Sequence, residues 1–487
     1  MSISVEAPYA MYIDGKWVSA DSGQTFDVLN PATLEIVGEV PLGSTSETRN
    51  ALSAAEQAYR RVWSELTPFQ RADYLNKIGE ILQENAEPIA EMITLESGKP
   101  IKEARGEVMS AAQGFTWYAA ESVRIFGETV APLKTNQKIV VERQPVGVAA
   151  LITPWNFPLN ILSRKVATAL AAGCTVVAKP AEQTPLSAVL LWRVLEGAQL
   201  PAGVANLVMG DPRTIGDEMI RNPVAKVIGF TGSTRVGKLL MRGASERVKR
   251  VALELGGHAP FIVFDDADLD VAVNDLMANK FRNAGQTCSC VNRIFVHTHV
   301  HDMFIKKLAD AMHKLKVGNG LDETTDVGPL IDEGGMKKVK HHVRDAIEKG
   351  AKVILGGREA DVKGGYFYLP TLLTNVSPDM EIMQEETFGP VLPVIPFDTE
   401  QEVILKANET RYGLYAYVYS EGLGRCMRVA NQLEYGMIGI NESLITSIHT
   451  PAGGFKESGL GREGGHWGLD EYLEYKYIAV RSVNKPS

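Results

Sequence analysis

Cysteine is scarce in this chain: four residues, at positions 174, 288, 290 and 426, among 487. They are too few and too unevenly spaced for a disulfide framework. The chain therefore reads as a protein of a reducing compartment, and a cytoplasmic location is expected. Basic charge is lacking too. Lys and Arg number 50 against 59 Asp and Glu, a net charge of -9. No polybasic run occurs, which argues against a nucleic-acid or anionic-membrane partner. No apolar run approaches the ~18 residues needed to span a bilayer. The opening MSISVEAPYA has no charged-then-apolar signal pattern. Internal repeats and low-complexity segments are also missing. The remainder, 45% hydrophobic and 22% charged, is ordinary for a soluble protein with a large core. Its length predicts two or three domains.

The order of elements implies an α/β fold. Short strand-like runs (MYIDGKWV, FDVLNPA, IVGEVPL) fill the first 45 or so residues. Apolar spacing of three and four then predicts helices from about Ser46 to Ile125. Glu128–Val146 reads as two strands around a polar turn, either an internal hairpin or a ribbon reaching another subunit. From Val146 the pattern becomes strand, turn, helix, repeated, with near-continuous apolar strands such as VGVAALI and CTVVAK. Such strands belong to a parallel sheet covered on both faces, a doubly wound, Rossmann-type arrangement. A second α/β series starts near Pro260. The expected division is residues 1–125 with 147–256 as one domain and 257–440 as a second. Residues 126–146 and 471–487 would be strands joining subunits, and 441–470 a loop and return segment.

Several motifs carry chemistry. In Phe281-Arg-Asn-Ala-Gly-Gln-Thr-Cys-Ser-Cys290, Cys288 follows a polar, glycine-containing turn. A thiolate there would have donors and access, although a free cysteine also serves as a small core hydrophobe. Gly229-Phe-Thr-Gly-Ser-Thr-Arg-Val-Gly237 leaves a strand and enters a helix. Gly232 and Ser233 could cradle a phosphate at that helix N-terminus, or form a plain turn. Thr153-Pro-Trp-Asn-Phe-Pro158 lies at a strand end, where ligands of open α/β sheets gather. Asn156 there could donate to an oxyanion or to its own backbone. Glu254 sits in the apolar strand before Gly-Gly-His258, where desolvation would raise its pKa and suit a general base, or where it could simply hold backbone donors at the strand end. Glu385-Glu386-Thr-Phe388-Gly-Pro390 could hold a sugar hydroxyl and a flat ring, or be only a turn. His297, His299 and His301 alternate as strand neighbours would; a strand running out into a surface turn accounts for them, and no metal site is expected without clustered cysteines or carboxylates.

Taken jointly and in this order, PWNFP, FTGS, ELGG, GQTC and EETFGP resemble the NAD(P)-dependent aldehyde dehydrogenase superfamily. The resemblance runs from YIDGKWV to the GREGG segment. It implies an enzyme, an oxidoreductase acting on aldehydes. Cys288 would attack the aldehyde to give a thiohemiacetal and then a thioester. Asn156, with the Cys288 N–H, would hold the oxyanion, and Glu254 would activate the hydrolytic water. Thr153, Trp155, Lys179, Glu182, Gly232, Ser233, Glu386 and Phe388 would bind the dinucleotide. The Glu182 carboxylate would accept from the ribose 2′-hydroxyl and repel a 2′-phosphate, so NAD is expected over NADP, with Lys179 tempering the preference.

The chain is most similar to the succinate-semialdehyde dehydrogenase branch. Arg164 in ILSRK, Arg282 in KFRNAG and a hydroxyl from the Ser447 loop would hold the substrate's distal carboxylate. Two guanidiniums in an apolar tunnel are costly unless an anion enters, or unless structural carboxylates pair them. Ala452 departs from the family's Pro-Phe-Gly-Gly and opens space. A longer semialdehyde (glutarate or 2-oxoglutarate) or an aromatic aldehyde is the alternative. In some members of that branch a cysteine matching Cys290 forms a reversible disulfide with the nucleophile, which is the role considered for it here. The expected partner is a small-molecule aldehyde, and the expected assembly a homodimer or homotetramer. A CoA-acylating dehydrogenase fits less well because Glu254 has no job there. A cofactor-free cysteine hydrolase leaves Glu182 unexplained, and a non-catalytic binding protein leaves Cys288 unexplained.

Overall fold

The computed structural model describes residues 3–481. Two large sheets and two small ones, the smaller a pair of Thr25–Leu29 with Ile36–Pro41, organise the described residues. The first has eight strands. Its five central strands run parallel in the order Arg250–Glu254, Ala225–Thr231, Val148–Ile152, Thr175–Lys179 and Ala205–Leu207. Met11–Ile13 and Lys16–Val18 extend it antiparallel at one edge, and Gly459–Leu460 caps the other. The chain enters at Val148–Ile152, builds outward through Thr175–Lys179, then returns to lay Ala225–Thr231 on the opposite side. The strand order therefore reverses between Val148–Ile152 and Ala225–Thr231. That reversal opens a crevice at the carboxyl ends of these strands.

The apolar runs explain why the sheet is interior. Every residue of Thr175–Lys179 is buried, as are Val148 to Leu151. Helices cover the faces: Thr45–Arg61, Pro68–Glu84, Ala86–Ser97 and Ile101–Ser122 before the sheet strands, then Asn160–Ala172 and Leu186–Gly197 between them. Ser44 and Glu47 start the first helix with a reciprocal capping box.

The second sheet has seven strands in the order Lys352–Leu355, Thr371–Thr374, Val391–Phe397, Val291–His297, Ala259–Val263, Tyr415–Tyr419 and Met437–Ile440. All pairs are parallel except the first, which is antiparallel. Alternation along Ala259–Val263 sends Phe261 and Val263 into one core and Ile262 into another, as period-two side chains require.

A separate three-stranded antiparallel sheet joins Glu128–Val130, Gln137–Pro145 and Leu473–Arg481. The ribbon read from sequence is thus paired with the C-terminal strand. Residues 482–487 of that expected strand region lie outside the described residues. His297 ends a strand, but His299 lies in a turn and His301 opens the helix His301–Met312. The strand thus runs out into a surface turn, as the sequence reading has it. No described helix is long and apolar enough to cross a membrane.

Candidate active site

The crevice at the strand reversal holds a cavity of about 320 Å³ lined by Asn156, Gly232, Ser233, Cys288, Glu386 and Phe388, among others. These residues come from four separate loops. Asn156 follows the strand Val148–Ile152, and Ser233 caps the helix Thr234–Ser245 by accepting from the Val236 N–H at 3.4 Å. Glu386 and Phe388 precede Val391–Phe397, and Cys288 precedes Val291–His297. Another cleft, about 930 Å³ between Lys352, Pro378 and Arg411, contains none of them.

The turn leading to Cys288 is conformationally demanding. Asn283, Ala284 and Gly285 all take left-handed backbone angles, φ 49°, 55° and 77°. Only glycine fits the third position, since a Cβ on Gly285 would lie 2.4 Å from the Gly389 carbonyl oxygen. The alanine costs on the order of 1–2 kcal/mol in that region, so neighbouring contacts must enforce the turn. The Glu103 carboxylate accepts the Asn283 N–H at 2.8 Å, and Asn283 Nδ2 donates to the Asn156 carbonyl at 3.1 Å.

Cys288 Sγ stands 3.8 Å from Glu254 Oε1. Glu254 ends the strand Arg250–Glu254, and its other oxygen accepts from the Thr231 hydroxyl at 3.1 Å. Burial pushes the Cys288 thiol well above its usual range; Glu254 and Glu386 push it further, against Arg164 and Arg282. Burial also raises the Glu254 carboxyl, Glu463 adds to this, and Lys165 and Arg164 oppose it. Both shifts favour the protonated forms, so each group must give up its proton before it can act as nucleophile or base. Asn156 is buried; its Nδ2 donates to the Gln286 carbonyl at 3.1 Å, while its Oδ1 has no partner. Burial lifts the Glu386 carboxyl to about 7, and one of its oxygens accepts the Gly257 N–H. Trp155 and Phe388 meet edge to face at 5.5 Å.

Other expected residues lie outside this cavity. Lys179 ends the neighbouring strand and is ion-paired with Glu182. The Thr153 N–H donates to the Lys179 carbonyl at 3.1 Å, and the Thr153 hydroxyl is buried without a partner. Arg164 and Arg282 both act electrostatically on Cys288. Arg164 lies 3.9 Å from Glu463, yet its Nε is buried and unpartnered. Arg282 rests over the Phe157 ring at 4.6 Å. Among the described residues it forms no ion pair with a carboxylate. The Ser447 hydroxyl is engaged with His449 Nδ1 at 2.7 Å. Its neighbour Thr446 bonds the Tyr415 hydroxyl at 2.8 Å, and burial, then Cys288 and Glu254, raise the Tyr415 pKa. The loop thus offers a second hydroxyl, on Thr446, that sequence reading missed. Ala452 is buried and forms a two-way backbone bridge with Glu463. Cys290 is buried with Sγ toward the Lys280 and Val291 carbonyls, whereas Cys288 faces Glu254.

Sequence reading also missed Lys165 and Glu463, which are ion-paired beside Glu254. A lysine on the buried face of the apolar helix Asn160–Ala172 was the available signal. Away from this site, ligand atoms of Asp265, His297 and His299 lie within 4.8 Å of one another, but Asp265 is already paired with Arg425 at 2.9 Å. His301 instead pairs with Asp302.

A family model described as the aldehyde dehydrogenase family matches residues 17–478. The chain is 48% identical to a glutarate-semialdehyde dehydrogenase of Pseudomonas aeruginosa over 97% of each protein. It is 47% identical to a succinate-semialdehyde dehydrogenase [NADP(+)] of Escherichia coli over 96% of this chain and 97% of that one. Among solved structures, a succinate-semialdehyde dehydrogenase from Burkholderia pseudomallei superimposes with a TM-score of 0.96 at 48% identity, covering 98% of each chain.

Proposed function

The chain belongs to the aldehyde dehydrogenase family, and from that premise we propose that it oxidises an aldehyde carrying a distal carboxylate, such as succinate or glutarate semialdehyde. The observation that carries this reading is Arg282, a partly buried guanidinium with an aromatic ring beneath it and no carboxylate ion pair among the described residues. Such a cation is costly unless an anion arrives. The buried, unpartnered Nε of Arg164 points the same way. Thr446 or Ser447 supplies a hydroxyl from the loop beside them. Ala452 leaves room for the longer semialdehydes.

Cys288 attacks the aldehyde carbon as a thiolate, its proton lost to solvent, and Glu254, 3.8 Å away, stays free for the hydrolytic step. Asn156 Nδ2 has one N–H committed to Gln286 and a second for the developing oxyanion. A nicotinamide dinucleotide held by Ser233, Glu386 and Phe388 would supply the hydride acceptor, and Cys288 would then carry the acyl group as a thioester. Glu254, held above the usual carboxylate range, then draws a proton from water as that water attacks the thioester.

The donor set fits a dinucleotide. The helix N-terminus at Ser233 suits the pyrophosphate, Glu386 and Phe388 the nicotinamide end, and Lys179 with Glu182 the adenine ribose. Because Glu182 occupies Lys179 in an ion pair, a 2′-phosphate would meet a neutralised lysine and a carboxylate, so NAD is the preferred form. The exposed Tyr475, Tyr477 and Val480 on the three-stranded sheet suit a subunit contact, in a homodimer or homotetramer. All four cysteines are free, in keeping with a reducing, cytoplasmic setting. Cys288→Ala should abolish NADH formation while fluorescence titration still gives tighter binding of NAD than of NADP. Residual turnover in that variant would overturn the reading.

A further inference from the structure

Two buried ions from outside the site grip the loop that carries Asn156. Lys99 and Glu107 are ion-paired, and their side chains are 0% and 1% exposed. Lys99 Nζ also donates to the Asn156 backbone carbonyl at 2.8 Å and lies 4.1 Å from the centre of the Phe157 ring. Glu107 uses its other oxygen to accept the N–H groups of Leu159 and Asn160, both at 3.0 Å. These begin the helix Asn160–Ala172, where a carboxylate complements the unsatisfied donors and the helix dipole. The loop between strand and helix is thus fixed on both sides of Pro158.

The placement of Lys99 is enforced by backbone. Gly98 ends the helix Ala86–Ser97 at φ +76°, and a Cβ there would lie 2.4 Å from Pro329 Cγ. Pro100 follows and caps the helix Ile101–Ser122. The lysine between them is turned inward by a turn that only glycine permits. A second carboxylate on the same helix face, Glu103, one turn before Glu107, holds the Asn283 N–H, and Asn283 in turn bonds the Asn156 carbonyl. One helix therefore references both the oxyanion loop and the nucleophile loop. Burying a lysine and a glutamate this deeply is poor value for stability alone, since apolar pairs of similar size do as well.

We propose that Lys99 and Glu107 are positioning residues that set the location of the Asn156 amide for the oxyanion. This rests on the reading of Asn156 as an oxyanion donor. The test is a double-mutant cycle on the first-turnover burst of NADH formation, measured on the full-length protein. Asn156→Ala is expected to slow the burst about 100- to 1,000-fold, the scale of one lost oxyanion donor. Lys99→Met is expected to slow it about 100-fold in the otherwise native protein, the scale of a misplaced catalytic group. In the Asn156→Ala background the same change should have almost no further effect. Lys99→Arg should restore part of the loss, and alkylation of Cys288 by iodoacetamide should keep its rate throughout. If Lys99→Met proves unfolded, the charge-balanced Lys99→Met/Glu107→Gln protein takes its place in the cycle. Equal losses in both backgrounds would make Lys99 merely structural and overturn the proposal. A normal burst in Asn156→Ala would instead defeat the oxyanion reading and the proposal with it.

Discussion

Replacing Arg282 by methionine keeps the length and apolar stem of the side chain and removes only the guanidinium. In the structure that group lies over Phe157 at 4.6 Å and has no carboxylate ion pair among the described residues. Glu103 and Cys288 each lose a neighbouring cation, so a general loss common to all aldehydes accompanies a further loss specific to a carboxylate-bearing substrate. A hydrogen bond to a charged group contributes about 1.5–3 kcal/mol. At about 1.4 kcal/mol per tenfold, kcat/KM for succinate semialdehyde should fall about 10- to 150-fold. Butanal, which lacks the distal carboxylate, should lose only the general part and so fall much less in kcat/KM than succinate semialdehyde. The assay is NADH absorbance at saturating NAD, with both aldehydes measured on both proteins. Arg164→Met should behave differently. It removes a cation that lies 3.9 Å from Glu463 and opposes the raised pKa of Glu254, so both aldehydes should lose rate. The reasoning is refuted if Arg282→Met slows butanal as much as succinate semialdehyde.

Two further predictions follow from the site's proton and sulfur chemistry. Glu254 and Cys288 both have raised pKa values, and each must lose a proton to act. Rate constants from a pH series should therefore rise from neutral toward alkaline pH and then level off, and a profile that falls over this range would contradict the assignment. Should Cys290 resolve oxidised Cys288 as a disulfide, wild-type activity lost to peroxide will return with dithiothreitol while that of Cys290→Ala will not. The two thiols face different partners in the structure, so closure of this bond requires the Cys288 loop to rearrange. Equal recovery in both proteins would dismiss the switch.

Much of the frame is legible in the sequence because local pattern dictates it. The apolar runs at Val148–Ile152 and Thr175–Lys179 could be satisfied only in a covered parallel sheet, and the turns after them had to fall at strand ends. Asn156, Glu254 and Cys288 were readable as candidates because each is a chemically expensive residue in such a place. The supporting charges were not readable. Lys99 reaches Asn156 across 57 positions, and Lys165 reaches Glu463 across 298; such contacts depend on how whole helices pack. By contrast, the run-out of a strand into a surface turn at His297, His299 and His301 was legible, because polar residues there interrupt the apolar strand. Thr446 and Ser447 could not be told apart, since neighbouring hydroxyls differ only in where the loop turns them.

Trapping the acyl-enzyme tests the central claim most directly. Glu254→Gln protein should be mixed with NAD and succinate semialdehyde, then quenched in acid and digested for mass spectrometry. The account predicts one succinyl group per chain, attached to Cys288, formed in step with a single equivalent of NADH. NADH formation with no acyl group on Cys288, or with the group on another residue, would contradict it.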